Sequence, residues 1–131
     1  MIKVVIDTNV LVSAMLTPSG IASKVLDMVF ADTLQIIYSL ESLSEYKDVL
    51  SRPKFNIPDE SRNDFFNSIF KSGKLTVPIP STMPMPDESD RTFYDTAKEC
   101  GATLITFNLK DYPAEPSIMT PVEFLEKVAN G

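Results

Sequence analysis

Acidic and amide side chains occur in four short clusters, each directly after a predicted strand or at the start of a predicted helix. The clusters are Asp7-Thr8-Asn9, Glu41 with Glu45, Asp87-Glu88-Ser89-Asp90, and Asn108 with Asp111. Carboxylates that are brought together repel one another unless a cation lies between them. Oxygen ligands without histidine or cysteine favour magnesium or manganese. If the clusters meet in space, the sequence predicts a metal site of the kind that hydrolyses phosphodiesters.

The composition narrows the chemistry further. The chain has 131 residues, no histidine, one cysteine and a formal net charge of −6. The absence of histidine excludes Ser-His-Asp and Cys-His catalysis and zinc sites with histidine ligands. The acidic balance argues against a generally basic nucleic-acid-binding surface. It does not argue against an enzyme that acts on phosphodiesters, because bound metal ions add charge that the sequence does not count.

Each cluster taken singly also has a purely structural interpretation. Asp7 could cap a helix or a turn, and Glu45 could be a solvated helix residue. Asp87 and Asp90 could cap the helix that follows them and favour its dipole. The last cluster could simply form a loop. Only the placement of all four clusters at strand ends and helix starts favours the metal site over these alternatives.

Short apolar and β-branched runs predict the strands that carry the clusters. They are Ile2–Ile6, Leu34–Tyr38 and Ala102–Phe107, with a short edge strand at Leu75–Ile79, where two prolines exclude a central one. Helical patterns alternate with these strands, which predicts a single α/β domain over residues 1–131 with a mainly parallel sheet covered by helices on both faces. Ligands of such sheets bind beyond the carboxyl ends of the strands, where Asp7 falls.

Apolar periodicity and capping residues place the helices. The predicted helices run through Ile21–Val29, Leu43–Leu50, Asn63–Lys71 and Ser89–Cys100, and a last one begins at Thr120. Ser39 or Ser42 can cap the second helix. Gly73 and Gly101 can end the third and the fourth. Thr120 opens a capping box with proline at the first helical position.

Features of targeting and of membrane insertion are missing from the sequence. No apolar run approaches the length that spans a bilayer, and the first residues lack the charged region and cleavage site of a signal peptide. The single cysteine, Cys100, cannot form an internal disulfide, which suits a reducing compartment. We therefore expect a cytoplasmic protein that does not enter a membrane.

Three segments, taken in order, resemble the PIN-domain ribonucleases, including the VapC-like toxins of toxin–antitoxin pairs. The segments are VVIDTNVLVSAM, SLESLSEYKDVLSRPKF and PDESDRTFYDTAKECGATLITFNLKDY. The final TPVEFLEKV is similar to the closing helix of that family. The resemblance covers nearly the whole chain, and it depends on the order and spacing of the motifs more than on any one of them.

The resemblance implies a role for each matching acid. Asp7 matches the first acid of the family and Glu45 matches the second. Asp90 matches the third, with Asp87 as a rival in the same segment. Asp90 is preferred because it lies three residues from Phe93 and so shares the helix face that packs on the sheet.

The fourth acid position of the family is occupied here by a neutral residue, Asn108, with Asp111 close by. The resemblance implies that Asp111 completes the set of metal ligands and that Asn108 assists catalysis. Thr8, Asn9 and Thr106 are expected to orient the carboxylates or the attacking water.

The function implied by the resemblance is that of an endoribonuclease dependent on Mg²⁺ or Mn²⁺. Such an enzyme leaves a 5′-phosphate and a 3′-hydroxyl on the RNA that it cuts. The expected partners are the RNA substrate, a cognate antitoxin protein and a second copy of the chain in a homodimer. The helix that carries Phe65, Phe66, Ile69 and Phe70 could supply part of such a partner surface, or it could be an ordinary core helix.

Two other functions are compatible with parts of the sequence. The neutral Asn108 and the acidic balance suit a catalytically weak PIN-like module that binds RNA or a protein. A phosphatase-like hydrolase with Asp7 as nucleophile is disfavoured, because those enzymes usually need a second acid two residues later and this chain has Asn9 there.

Overall fold

The computed structural model describes residues 1–131, which form five strands and six α-helices. The strands are β1 (Ile2–Ile6), β2 (Leu34–Tyr38), β3 (Lys74–Leu75), β4 (Thr103–Ile105) and β5 (Ile118–Met119). The helices are α1 (Thr8–Leu16), α2 (Ile21–Phe30), α3 (Leu40–Leu50), α4 (Asp59–Ser72), α5 (Arg91–Cys100) and α6 (Pro121–Asn130). Short 3₁₀ turns at Pro53–Phe55, Glu88–Asp90 and Leu109–Asp111 complete the secondary structure.

All five strands run parallel in one sheet, in the order β3-β2-β1-β4-β5. Val4 in β1 pairs with Ile36 of β2 on one side and with Thr103 of β4 on the other. The chain winds outward from β1 first in one direction and then in the other, so the gap between β1 and β4 is the topological switch point. In open parallel sheets a ligand crevice forms at this point, beyond the carboxyl ends of the strands.

The central strands are covered on both faces. Consecutive strand residues point to opposite faces of a sheet, and Val4, Val5 and Ile6 are all buried, as are Ile36 and Ile37. This burial confirms the prediction of an α/β fold with helices on both sides of a parallel sheet. The apolar residues at the carboxyl ends of β1 and β2 have the same cause, because both faces of the sheet are covered there.

Helix α1 is not among the helices expected from apolar spacing. It begins at Thr8, directly after β1, with Asp7 in the N-cap position and no loop between strand and helix. Its buried residues include Val10, Leu11 and Ala14. The helix is apolar around most of its circumference, so it shows little of the one-sided pattern by which a surface helix is recognised.

Several boundaries differ from the expected ones. The third strand covers only Lys74–Leu75, because the prolines that follow cannot donate to a ladder, and the fourth covers only Thr103–Ile105. Helix α5 begins at Arg91 rather than at Ser89, after one 3₁₀ turn, and α4 begins earlier than expected, at Asp59. The short strand β5 was not expected.

The capping predictions are confirmed where the structure shows the bonds. Ser39 forms a capping box with Ser42 at the start of α3, and Thr120 forms one with Glu123 at the start of α6. Gly101 ends α5 in the left-handed region, with φ of 61°. None of the helices combines the length and the apolar character that crossing a bilayer requires.

Candidate metal centre

Asp7 lies at the switch point, immediately after β1. Its side chain is only 6 % exposed. The hydroxyls of Thr106, which follows β4, and of Tyr112 both donate to Oδ2 of Asp7, each at 2.9 Å. Although Asp7 occupies the N-cap position of α1, its side chain makes no capping hydrogen bond. The backbone amides of Thr8 and Asn9 nevertheless lower the pKa of Asp7, so its carboxylate also faces the first turn of α1.

Burial raises the pKa of Asp7 above its usual value, because removal from water disfavours the charged form. The hydrogen bonds from Tyr112 and Thr106 lower the pKa in part, since both hydroxyls favour the carboxylate. The two donors are used on one oxygen, which leaves Oδ1 outside this pair of bonds. Asp7 is thus a buried acid with one oxygen held in place and the other not engaged by those hydroxyls.

Helix α3 brings Glu45 toward Asp7. The hydroxyl of Thr8 donates to Oε2 of Glu45. The next residue, Tyr46, is fully buried and donates its hydroxyl to the carbonyl of Ile6, the last residue of β1. Burial raises the pKa of Glu45, and the charge of Asp7 raises it further. Tyr46 therefore anchors the helix that carries Glu45 to the end of the strand that carries Asp7.

Asp90 lies at the start of α5 and does not cap that helix with its side chain. Burial raises its pKa to about 7, and the negative charge of Asp7 is the next cause. The charges of Asp87, Asp111 and Glu45 act in the same direction. Asp90 is therefore close enough to acids of three other segments, and to Asp87 of its own segment, for their charges to act on it.

Asp87 has a different environment. It is exposed, and its carboxylate accepts hydrogen bonds from the amide and the hydroxyl of Ser89, at 2.9 and 2.8 Å. These bonds lower the pKa of Asp87. The carboxylate thereby caps the 3₁₀ turn that precedes α5. This structural role favours Asp90 over Asp87 as the acid of the site.

The last cluster lies on the 3₁₀ turn that follows β4. The backbone amide of Asn108 donates to the hydroxyl oxygen of Thr106 at 3.0 Å, while the side chain of Asn108 caps nothing. Asn9 accepts from the amide of Phe107 at 3.2 Å and donates to Thr106 at 3.4 Å. Asp111 is half-buried at the end of the turn. The hydroxyl of Thr106 therefore connects Asp7 to this loop, because it bonds both to Asp7 and to the amide of Asn108.

Tyr112 is the residue of the site that sequence reasoning did not select. It is 5 % exposed and contributes one of the two hydroxyls on Asp7. The only signal for it in the sequence is its position directly after Asp111, at the end of the Asn-x-x-Asp-aromatic segment. A buried tyrosine generally needs a partner for its hydroxyl, and here the partner is the carboxylate of Asp7.

The donor set can be compared with the needs of a metal ion. No group of three or more carboxyl, thiol or imidazole side chains is placed to hold a single ion directly. The charges around Asp90 are nevertheless close enough to raise its pKa to about 7. The oxygen donors present would suit a hydrated hard ion, which usually keeps several waters and binds one or two carboxylates together with substrate phosphates. They lack the cysteine and histidine ligands of structural zinc sites.

Comparison with known proteins agrees with the fold. A family model described as the PIN domain matches residues 3–110, which include Asp7, Glu45, Asp90 and Asn108. The chain is also similar to Uncharacterized protein MJ1680 of Methanocaldococcus jannaschii, with 31% identity over 141 residues that cover 96% of this chain and 91% of that protein. With a parallel α/β fold, acids at the switch point and a family match over most of its length, the chain belongs to the PIN domain family.

Proposed function

We propose that this protein is an endoribonuclease dependent on Mg²⁺ or Mn²⁺ and that it is the toxin of a type II toxin–antitoxin pair. PIN domains are in general nucleases and typically use divalent metals. The observation that carries the proposal is the placement of Asp7, buried at the switch point and held by two hydroxyls, with Glu45 bonded to the adjacent Thr8 and with Asp90 close enough for the charge of Asp7 to act on it. Such crowding of acids costs stability without a cation, so it favours a site that binds one.

Asp7 and Asp90 are the proposed principal ligands, with Glu45 and Asp111 completing the acidic set and Asn108 assisting. A bound ion would lower the pKa of a water and stabilise the negative charge that develops on the phosphate. Asp7 is held for this role by Thr106 and Tyr112.

Two further residues of the chain have positioning roles. Thr8 orients Glu45, and Asn9 braces the loop after β4 through Phe107. In the overall reaction water adds to phosphorus, the bond to the 3′ oxygen breaks and that oxygen takes a proton. The products are a 5′-phosphate and a 3′-hydroxyl.

The direct test is cleavage of a labelled single-stranded RNA by the purified chain. We expect cleavage with Mg²⁺ or Mn²⁺, none with EDTA, and a loss of at least about 100-fold in Asp7→Asn. Asp27→Asn is the matched control, because Asp27 is an exposed acid on α2 that belongs to none of these clusters. Cleavage that persists in Asp7→Asn, or that ignores EDTA, would contradict the proposal.

A second function is supported by one specific observation. Asn108 is exposed, carries no charge and caps nothing, so the acid set lacks a member at that position. This suits a catalytically weak module that binds RNA or protein. Calorimetric titration with Mg²⁺ and Mn²⁺ separates the two, since absence of binding at millimolar metal would favour the module.

The proposed partners are an antitoxin and a second copy of the chain. On α4, Phe65 and Ile69 are buried in the core, while Phe70 is 53% exposed and stacks on Phe66. The helix therefore has a core face and an aromatic edge that a partner can cover.

Growth arrest on expression, relieved by the product of an adjacent small reading frame, would support the toxin role. A dimer mass in light scattering that is lost in Phe70→Glu would support the homodimer.

A further inference from the structure

A cavity of about 210 Å³ lies between α3, α5 and the extended segment that follows β3. Its apolar wall includes Val77, Pro78 and Pro80, and its polar wall includes Glu41 and Asp95. None of these five residues belongs to the proposed metal site. The cavity thus combines an apolar side with carboxyl groups that can accept hydrogen bonds.

Asp95 is the unusual member of the lining. It is only 5 % exposed. One of its oxygens, Oδ2, accepts from the backbone amide of Ser81 at 3.1 Å. The other, Oδ1, is buried and has no hydrogen-bond partner. A buried acceptor that stays unpaired destabilises the fold, so a ligand with an N–H group that enters beside Asp95 would relieve this cost.

The walls of the cavity are already held in place. Arg91 donates to the carbonyl of Ser81 at 2.9 Å and to the carbonyl of Met83 at 2.8 Å. The same guanidinium is paired with Glu88. The hydroxyl of Thr92, which also lines the cavity, is hydrogen-bonded to that of Ser39 at 2.6 Å. The hydrogen-bond donors of Arg91 and Thr92 are therefore already paired. A ligand that bonds to the carboxyl groups of the cavity must supply the donor groups itself.

The cavity adjoins the acids of the proposed metal site. Glu41 precedes Glu45 by one turn of α3, so the two side chains lie on the same face of that helix, about 5–6 Å apart at their Cβ atoms. Thr92 follows Asp90 by two residues at the start of α5. A nucleotide next to the phosphate held at the acids can therefore reach the cavity.

We propose that this cavity is a nucleobase subsite that selects bases bearing an exocyclic amino group, namely guanine, adenine and cytosine, over uracil. The base lies against the valine and proline wall and donates from its Watson–Crick edge to Asp95 and Glu41. Single-stranded RNA is commonly read through such edges. Uracil is rejected because two carbonyl oxygens flank its one N–H on that edge and face the carboxyl groups. This subsite rests on the proposed ribonuclease function.

The apolar wall favours a base over the other ligand class that carboxyl groups attract, a lysine or arginine side chain of a protein. A flat ring covers the valine and proline surface and removes it from water. The guanidinium of Arg91, which also lines the cavity, would repel a second cationic group there.

The test is titration of the isotopically labelled protein with GMP, AMP, CMP and UMP in EDTA, followed by NMR of the backbone amides. We expect shifts at Ser81, Thr92 and Asp95, with GMP, AMP and CMP binding at least about fivefold more tightly than UMP, as the loss of about one hydrogen bond predicts. Glu41→Gln should remove this preference, and the exposed control Glu60→Gln should retain it. Asp95→Asn, if it folds, should act like Glu41→Gln.

Equal binding of the four nucleotides, shifts confined to Asp7 and Asp90, or no shift at all would overturn the subsite. Tighter binding of a lysine- or arginine-containing peptide at these amides would overturn it in favour of a protein partner. Because the titration needs neither metal nor cleavage, its outcome is separate from the test of the ribonuclease. An inactive chain that still selects amino-bearing nucleotides would leave the subsite standing and contradict only the proposed function.

Discussion

Asp90 is the residue at which the needs of stability and of the proposed function conflict most directly. Its side chain caps no helix, and its pKa is raised from 3.8 to about 7. An acid whose pKa is higher in the folded state binds a proton more readily there than in the unfolded chain. Its contribution to stability is therefore fully present below about pH 4 and is lost as the pH rises toward 7.

Replacing Asp90 by Asn should remove this penalty. At pH 7 and without metal we expect the free energy of unfolding to rise by about 1 kcal/mol, or the melting temperature by about 4 °C, after allowance for solvent screening of a half-buried group. The difference should vanish near pH 4. Stabilisation by Mn²⁺, which acts by mass action on the wild type, should be lost together with cleavage.

Thermal melts of wild type and Asp90→Asn from pH 4 to pH 7, in EDTA and in Mn²⁺, would show whether Asp90 is a metal ligand. A variant that is less stable without metal and still stabilised by Mn²⁺ would show that Asp90 has a structural role and is not a ligand.

Tyr112 acts on the reaction only through Asp7. Tyr112→Phe removes a hydroxyl that lowers the pKa of Asp7, so that pKa should rise further. We expect cleavage to fall by about 10-fold or more at pH 7, in line with the loss of other groups that orient ligands. The acidic limb of the pH–rate profile should move to higher pH.

Tyr38→Phe is the matched control for this change, because Tyr38 is also a buried tyrosine but contacts none of the four acids through its hydroxyl. A uniform loss of rate in Tyr112→Phe with no shift of the profile would indicate a structural role alone.

At the scale of elements, the site depends on how α3 and α5 are attached to the sheet. Helix α3 begins at the Ser39 capping box, and Tyr46 connects it to the end of β1 through the carbonyl of Ile6. The Tyr46 ring also packs against Phe65 of α4 and Phe93 of α5, with centroids 5.7 and 6.0 Å away. One side chain thus sets the distance of three helices from the strand that presents Asp7.

Tyr46→Phe should keep this packing and remove only the hydrogen bond. Loss of a buried bond to a carbonyl should cost about 1–2 kcal/mol in the free energy of unfolding. Because Glu45 is the adjacent residue, cleavage should also fall, by about 10-fold, at temperatures where the variant remains fully folded. Urea unfolding, with activity measured in parallel, checks the loss of stability and the loss of cleavage. Normal cleavage by a destabilised variant would show that the hydrogen bond of Tyr46 contributes to stability only.

At the scale of the whole molecule, the net charge of −6 opposes the binding of a polyanion. The proposed metal site offers a way to overcome this, since ions bound by the acids would supply positive charge where the phosphate must lie. The acidic composition and an RNA substrate are compatible only if binding depends on the metal.

We therefore expect a fluorescent single-stranded RNA to bind in EDTA with a Kd above about 100 µM and with little dependence on salt, because few phosphates are neutralised by Lys or Arg. Mg²⁺ should tighten binding at least about 10-fold in wild type and not in Asp7→Asn. Anisotropy at low temperature, with gels to exclude cleavage, measures this. Tight binding in EDTA with a steep salt dependence would reveal a basic surface and contradict the expectation.

The alternation of elements and the placement of most acids were predictable from local sequence. Residues 4–6 and 36–38 are buried on both faces of the sheet and so carry a local apolar signal, and the capping residues Ser39 and Thr120 act within one turn of chain. Elements without such a signal were missed. Helix α1 is apolar on most sides, and β5 has only two residues, Ile118 and Met119.

An α/β chain with acids at strand ends and helix starts is therefore predictable from local sequence, because burial pattern and capping are local properties. Which acids lie close enough to interact depends on the packing of distant segments. That packing separated Asp90, in the field of Asp7, from Asp87, which caps its own turn. It also brought Tyr112 onto a carboxylate 105 positions away and left one oxygen of Asp95 unpaired beside a cavity. These facts depend on contacts between distant segments, and local patterns carry no information about such contacts.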